Sequence, residues 1–271
     1  MLERSRVSFV GAGVMAEAVI RGLLEKELVD PVNIIAADIR AERGPELTGR
    51  YGIRFIEENR TAVEDADIVV LSVKPQSLPQ VLPLISGWVP DRALVISIIA
   101  GAKIARLAEG LSHPAVVRSM PNTPAQIGQG MTVWTAAPQV TEDQRAQAKA
   151  LLGALGSEMY VDQEGFLDAA TALSGSGPAY VFLFMEALID AGIQLGFAPA
   201  AARQLVLQTM KGSVEYAKIS PKELAVLREQ VTSPGGTTAA ALRSFEQDEF
   251  RAAVVRAVQA AHRRSIELGR G

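Results

Sequence analysis

Four apolar residues, Val7-Ser8-Phe9-Val10, run directly into Gly11-Ala12-Gly13-Val14-Met15-Ala16, and an amphipathic pattern, MAEAVIRGLLEKEL, follows at once. A strand that turns on glycines into a helix leaves few options for the chain. Gly11 permits a tight turn, and Gly13 lets the backbone approach a pyrophosphate. Ala16 lets the helix pack close to the strand, with the helix N-terminus facing the phosphates. The spacing is G-x-G-x-x-A, a weak signal alone. Its place after a first strand and ahead of a second strand ending in an acid makes it a dinucleotide-binding signal. The alternative is a Gly-rich strand-helix turn with no ligand.

The same alternation continues. NIIAAD, DIVVLSV, ALVISII and AVVRSM read as strands, with AERGPELTGRY and PQSLPQVLPLI as helical patterns between them. This predicts a parallel sheet with helices on both faces. Thr141 and Gln144 form a capping box that opens a further helix. Beyond about Asp162 the β-rich runs vanish. Pro178 can open a long apolar helix, AYVFLFMEALIDAGIQLG, whose greasy surface predicts burial, including burial between subunits. Pro199 opens a second helix, Ser220-Pro221-Lys222-Glu223 a third by its own capping box, and DEFRAAVVRAVQAAHRRSIEL is a last amphipathic helix. The expected fold class is thus α/β then all-α. The expected domains are a doubly wound dinucleotide-binding domain over 1–161 and a helical substrate-binding and dimerisation domain over 162–271.

Composition narrows the function. The 271 residues carry a net charge of −3 with acids and bases mixed, so nucleic acid and anionic membrane are not expected partners. No cysteine is present, which excludes disulfides, thiolate catalysis and Cys-ligated metals, and suits a cytoplasmic setting. The N-terminus lacks the apolar core of a signal peptide, no apolar run reaches the ~20 residues of a membrane span, and no metal site is expected.

Asp38 ends the second strand 25 residues past Gly13, near the offset of a ribose-binding acid. An acid there favours NADH, whereas Arg40, two residues on, suits the 2′-phosphate of NADPH, so the preference stays open. A solvated strand-end loop is the alternative for both. Ser72-Val73-Lys74-Pro75 and Ala100-Gly101 close later strands, where ligands collect in open α/β sheets. Lys74 suits an anionic group, or is a surface lysine before a helix that begins at Pro75. His113 and His262 have no acid in a dyad pattern, which disfavours dehydrogenases that move an alcohol proton through histidine. β-Hydroxyacid dehydrogenases share the layout but use a lysine after a Gly-rich segment, and no lysine occurs between Gly175 and Met210. A protonated imine, which accepts hydride readily, fits a reductase with no evident strong acid.

The VTSPGGTTAAAL stretch, Val231 to Leu242, interrupts the helical half. Gly235 and Gly236 clear side chains so that N–H groups can converge on an anion, and Thr237 and Thr238 open the next helix, whose dipole favours a carboxylate. A Thr-capped helix-helix turn is the alternative.

With GAGVMAEA, SVKP, RSMPNTPAQIGQG, DAATALSGSGPAY and VTSPGGTT on the page, the chain resembles the pyrroline-5-carboxylate reductase family over nearly all its length. The resemblance implies reduction of 1-pyrroline-5-carboxylate to L-proline with NADPH or NADH. It also implies a Rossmann domain, then a helical domain forming an interleaved homodimer, sometimes assembled into decamers. It places Gly11, Ala12, Gly13, Val14 and Met15 on the pyrophosphate. Ser72, Val73, Lys74, Pro75, Ile98, Ile99 and Ala100 would lie along the cofactor. Asn59 would lie near the adenosine ribose, or serve as an N-cap, and Asn122, Thr123 and Pro124 beside the nicotinamide. Gln230 stands where other members have Asn. Glu164 would approach the substrate. Ser233 and the amides of Gly236, Thr237 and Thr238 would bind its carboxylate, and the Thr238 hydroxyl would bond the ring nitrogen. Asp38 departs from the Ser or Asn of many members. The rival readings are a related imine or hydroxyacid reductase and a nucleotide sensor that lost turnover.

Overall fold

A computed structural model of the chain describes residues 2–269. An eight-stranded sheet has the order β3-β2-β1-β4-β5-β6-β7-β8. In chain order, β1 (Val7–Val10) leads into α1 (Val14–Glu25), and β2 (Ile34–Ala37) into α2 (Arg43–Tyr51). Then come β3 (Arg54–Ile56), α3 (Asn59–Val63), β4 (Ile68–Leu71) and α4 (Leu78–Ile85). β5 (Leu94–Ser97), α5 (Ile104–Leu111) and β6 (Val116–Met120) follow. β7 (Gly130–Ala136), α6 (Glu142–Gly153) and β8 (Gly156–Tyr160) complete the sheet.

The central strands are short apolar runs because both their faces are covered. Successive side chains point to opposite faces. Val7, Phe9, Ile68, Val70, Leu94 and Ile96 join one core with α1 and α6, and Val10, Val69, Leu71 and Val95 join the other with α4 and α5. β1 to β6 are parallel, as expected, but β7 runs antiparallel to β6. The segment joining them is a 3₁₀ turn over Thr123–Ile127 closed by left-handed Gly128, too short for a crossover helix. The sequence reading found neither β3, β7 nor β8. The expected capping box holds: the Gln144 N–H donates to Thr141 Oγ1, and the Thr141 N–H to Gln144 Oε1.

The helical half holds α7 (Phe166–Ala170), a π-helical turn (Thr171–Gly175), α8 (Gly177–Gln194) and α9 (Pro199–Ile219). α10 (Leu224–Gln230), α11 (Thr237–Gln247) and α12 (Phe250–Leu268) follow. Two corrections apply here. The third long-range helix start is not at Ser220: the Ser220 hydroxyl accepts from the Lys222 N–H and shapes a turn, so α10 starts at Leu224 behind Glu223. Phe166–Gln194 forms one 29-residue helical stretch that is long and apolar enough to cross a membrane, by length and composition only. No apolar run of membrane-span length is expected from the sequence; the stretch reaches that length because the Thr171–Gly175 turn is helical and continuous with α7 and α8.

The chain separates into two compact units, one reaching Ser176 and reclaiming the end of α12 from Ala261, the other spanning Gly177–Ala260. The expected division lay at 161/162. α7 belongs to the first unit because Leu167 and Asp168 are buried there. The second unit has almost no interior of its own. Ala202 is the only buried residue within 177–260, and α8 exposes Val181, Phe182 and Leu183.

Glycine sets how closely α1 approaches the turn after α6. A Cβ on Gly22 would lie 2.6 Å from the Ala154 carbonyl oxygen, and Lys26 donates to the neighbouring Gly153 carbonyl. Gly22→Ala is expected to lower unfolding free energy by about 1–3 kcal/mol. Gly49→Ala, where a Cβ meets nothing, should raise it by about 0.4–1 kcal/mol. Urea unfolding of both variants checks the pair.

Candidate active site

The parallel strands bring their carboxyl ends to one edge of the sheet, and the chain's crossover from β3 to β4 puts the switch point between β1 and β4. Ligands of open α/β sheets bind in that crevice. The structure places 11–15 after β1, Asp38 and Arg40 after β2, and Asn59 after β3 at this edge. Residues 72–75 after β4, 98–100 after β5 and 122–124 after β6 lie along it too. Gln230 lies in the second unit, at the exposed end of α10.

Gly11 has φ +94°, and a Cβ there would lie 2.9 Å from Ser72 and Val73. The Ser72 hydroxyl donates to the Gly11 carbonyl at 2.6 Å and the Ser72 N–H to Val10, closing the crossing of the two loops. Gly13 is different. It caps α1 with no side-chain cap, and a Cβ on it meets nothing within 4 Å. The first helical bond runs from the Glu17 N–H to the Gly13 carbonyl, which leaves Val14, Met15 and Ala16 without intrahelical acceptors. Free donors, an open backbone surface and the helix dipole together fit a pyrophosphate.

Asp38 is 9% exposed, and its carboxylate accepts from the Ala12 N–H at 2.8 Å. Its other partners are the Arg40 N–H, Nε and Nη2, each at 3.0 Å. The alternative of a solvated loop does not hold for it. Burial works to raise the Asp38 carboxyl, but Arg40 and the two amides outweigh it and hold it below the ordinary aspartate range. Arg43 braces the same loop: Nε donates to the Ala12 carbonyl at 2.9 Å, and Nη2 to Glu17 at 2.7 Å. Glu17 sits low as well, since hydrogen bonds from Arg43 and Tyr51 overcome its burial. Asn59 is the first residue of α3 and makes no cap; Glu58 holds the N-cap position. Lys74 is exposed and precedes a 3₁₀ turn that begins at Pro75.

Asn122 ties two segments together. Its Nδ2 donates to the Ser174 carbonyl in the π-helical turn, and its Oδ1 accepts from the Met131 N–H of β7. Thr123 is exposed beside it and Pro124 half-buried, both within the 3₁₀ turn. Glu164 Oε1 accepts from the Ile104 N–H at the start of α5 and from Arg118 Nη1, at 2.9 and 3.0 Å. Arg118, with its side chain 4% exposed, also donates to Asp168, which accepts from Ser265. Sequence reading missed this Arg118–Glu164–Asp168–Ser265 network, buried at Arg118, Asp168 and Ser265 and half-buried at Glu164. Arg118 and Asp168 stood inside quoted motifs, but nothing in the spacing paired them.

In the second unit, Gly235 has φ +71° and Gly236 caps α11. A Cβ on Gly236 would meet Ser233 Oγ at 2.4 Å. The Gly236 N–H donates to the Ser233 carbonyl at 3.0 Å, so the turn itself takes this amide out of the expected anion cradle. The first bond of α11 runs from Ala240 to Gly236, leaving the Thr237, Thr238 and Ala239 N–H groups unsatisfied within the helix. A cavity of about 730 Å³ lies elsewhere in this unit, beside Phe184, Phe245 and Phe250. Its lining is mostly apolar, with Arg228, Glu246, Glu249 and Arg251 also against it, and it lies on the uncovered helix faces.

The switch-point crevice and its donor-lined turn define a Rossmann-type nucleotide-dependent oxidoreductase with an appended helical unit. Residues 6–101 match the model described as NADP oxidoreductase coenzyme F420-dependent, and 164–268 that of pyrroline-5-carboxylate reductase dimerisation. The pyrroline-5-carboxylate reductase of Pseudomonas aeruginosa is 45% identical over 97% of this chain and 96% of its own. That of Synechocystis is 42% identical over 98% of both. The Plasmodium falciparum pyrroline carboxylate reductase structure with NADP bound superposes with a TM-score of 0.91 at 32% identity, covering 99% of this chain and 100% of that one. The chain belongs to the pyrroline-5-carboxylate reductase family.

Two outcomes follow from the charged groups. Arg118→Met leaves Glu164 and Asp168 without their shared cation and should cost about 3–5 kcal/mol in urea unfolding. Asp38 and Glu17 have folded values below their unfolded ones, so their stabilisation is complete above about pH 4.5 and is lost as pH falls through the folded values. Asp38→Asn is expected to flatten part of that acid-side loss, read from urea midpoints between about pH 3 and about pH 7.

Proposed function

We propose that this chain reduces 1-pyrroline-5-carboxylate to L-proline with NADPH or NADH, as the last step of proline biosynthesis. The observation that carries the reading is the Ser233–Thr238 turn. It presents unsatisfied amides, those of Thr237 and Thr238 among them, and a hydroxyl at the N-terminus of an eleven-residue helix. That is an anion site with a side-chain hydrogen-bonding group beside it, and the substrate is a cyclic imine bearing a carboxylate.

Ser233 and the Thr237 and Thr238 amides bind the carboxylate in this reading. Thr238 Oγ1, which has no partner among the described residues, bonds the ring nitrogen and orients the C=N bond. Glu164, whose Oε2 has no partner among the described residues, is a further substrate contact in this reading. Gly11 to Met15 hold the pyrophosphate; Ser72 to Pro75 and Ile98 to Ala100 line the dinucleotide. Asn59 serves the adenosine ribose, Asn122 to Pro124 the nicotinamide, and Gln230 is a further cofactor contact. When bound, a reduced nicotinamide supplies the hydride. The protein's contribution is positioning, since an iminium carbon is already electrophilic.

The helical unit is the dimerisation element in this reading, with a decamer as the larger assembly. Its support is that α8 to α12 leave their apolar faces uncovered. The cysteine-free composition suits a reducing cytoplasm.

A spectrophotometric assay with pyrroline-5-carboxylate and each reduced cofactor tests the activity. Oxidation of neither would end the proposal and favour the sensor reading. Thr238→Ala should keep cofactor affinity and lose roughly tenfold or more in turnover. Unchanged turnover would remove Thr238 from the chemistry.

A further inference from the structure

The carboxylate of Asp38 has no acceptor capacity left. A carboxylate offers about four lone-pair positions. Oδ2 takes the Ala12 N–H and Arg40 Nη2; Oδ1 takes the Arg40 N–H and Nε. At this strand end an acid ordinarily receives the ribose hydroxyls of a dinucleotide. Here the ribose would have to displace a guanidinium held along its Nε–Nη2 edge by a largely buried anion. Arg40 itself leaves half of its side chain exposed, and its Nη1 has no partner among the described residues.

We propose that Asp38 is a holder and Arg40 the receptor: the pair selects a dinucleotide carrying a 2′-phosphate. The inference rests on the dinucleotide reading of the carboxyl edge. Two physical reasons support it. The negative charge of Asp38 is neutralised in place, so it no longer repels a phosphate dianion. The rigid fork fixes the direction of the remaining guanidinium donors, and a guanidinium matches phosphate geometry. Arg43, the next cation along, is already committed to Ala12, Glu17 and Glu46. Glu42 and Glu46 act on Arg40 as well and reduce its pull on an anion, though Glu46 is itself paired with Arg43 and Arg50. That leaves Arg40 as the cation available at the end of β2. The acid that reads as a signal for NADH becomes, once its partner is seen, part of a site for NADPH.

Cofactor fluorescence titration of the full chain separates the outcomes, with displacement by 2′,5′-ADP and by 5′-AMP as the probe of the 2′-phosphate. NADPH should bind at least about tenfold more tightly than NADH, and 2′,5′-ADP should displace it better than 5′-AMP. Arg40→Ala should weaken NADPH by roughly tenfold or more while NADH holds or tightens, because Asp38 is then free for the ribose. Retained NADH binding shows that this variant is folded. Arg40→Lys, which keeps the charge without the fork, should fall between. Equal affinity of the wild-type chain for both cofactors, or equal weakening of both in Arg40→Ala, overturns the proposal. Binding of no nucleotide at all overturns the dinucleotide reading beneath it. Pyrroline-5-carboxylate turnover is a separate readout, so failure of the substrate assignment does not mask either result.

Discussion

Gly11 carries the nucleotide half of this protein. Its backbone lies in the left-handed region, and the chain after β4 passes so close that no side chain fits between them. The Ser72 hydroxyl then bonds the Gly11 carbonyl. This contact joins the turn after β1 to the turn after β4 at the switch point, where the sheet order reverses direction. From that junction the Ala12 N–H reaches Asp38 and the Ala12 carbonyl reaches Arg43. One residue without a Cβ thus ties β1, β2, β4 and α2 together, and α1 starts with its free N–H groups facing the crevice.

The second unit obeys a different constraint. Its helices are long and regular, yet within 177–260 Ala202 alone is buried. A helical unit cannot stand on one small buried residue, since hydrophobic burial is the main favourable term in folding. Large apolar side chains on α8, α9 and α12 therefore need cover from outside the unit. This agrees with the match of 164–268 to a dimerisation family. The same missing cover explains why the 166–194 stretch passes a membrane-span test by composition. An interface helix and a lipid-facing helix carry the same kind of surface.

Much of this was legible in the residues. The continuous apolar strands, the G-x-G-x-x-A turn and the Thr141–Gln144 box each act within a few residues, so local spacing reveals them. The antiparallel β7 was not legible, because its direction depends on how short the 3₁₀ turn after β6 is. The start of α10 was misread because Ser220 spends its hydroxyl on a neighbouring amide rather than on a cap. Gly236 was misread for a similar reason: its amide closes the turn on Ser233. The Arg118 network joins residues up to 97 positions apart in sequence, as in the Ser265–Asp168 bond, and no periodicity marks such a pair.

The sequence by itself determined the two-part layout, the nucleotide turn, and the motifs that place the chain in its family. These depend on residue type and short spacing, which propensity and steric rules read directly. Only the tertiary structure decided what each polar group has left to offer. Asp38 and Arg40 pointed to opposite cofactors as letters in a row. Folded, they are one ion pair on the Ala12 amide, and the acceptors of Asp38 are spent. A hydrogen-bonding group's function depends on its free valences, and those are set by neighbours that only folding brings together.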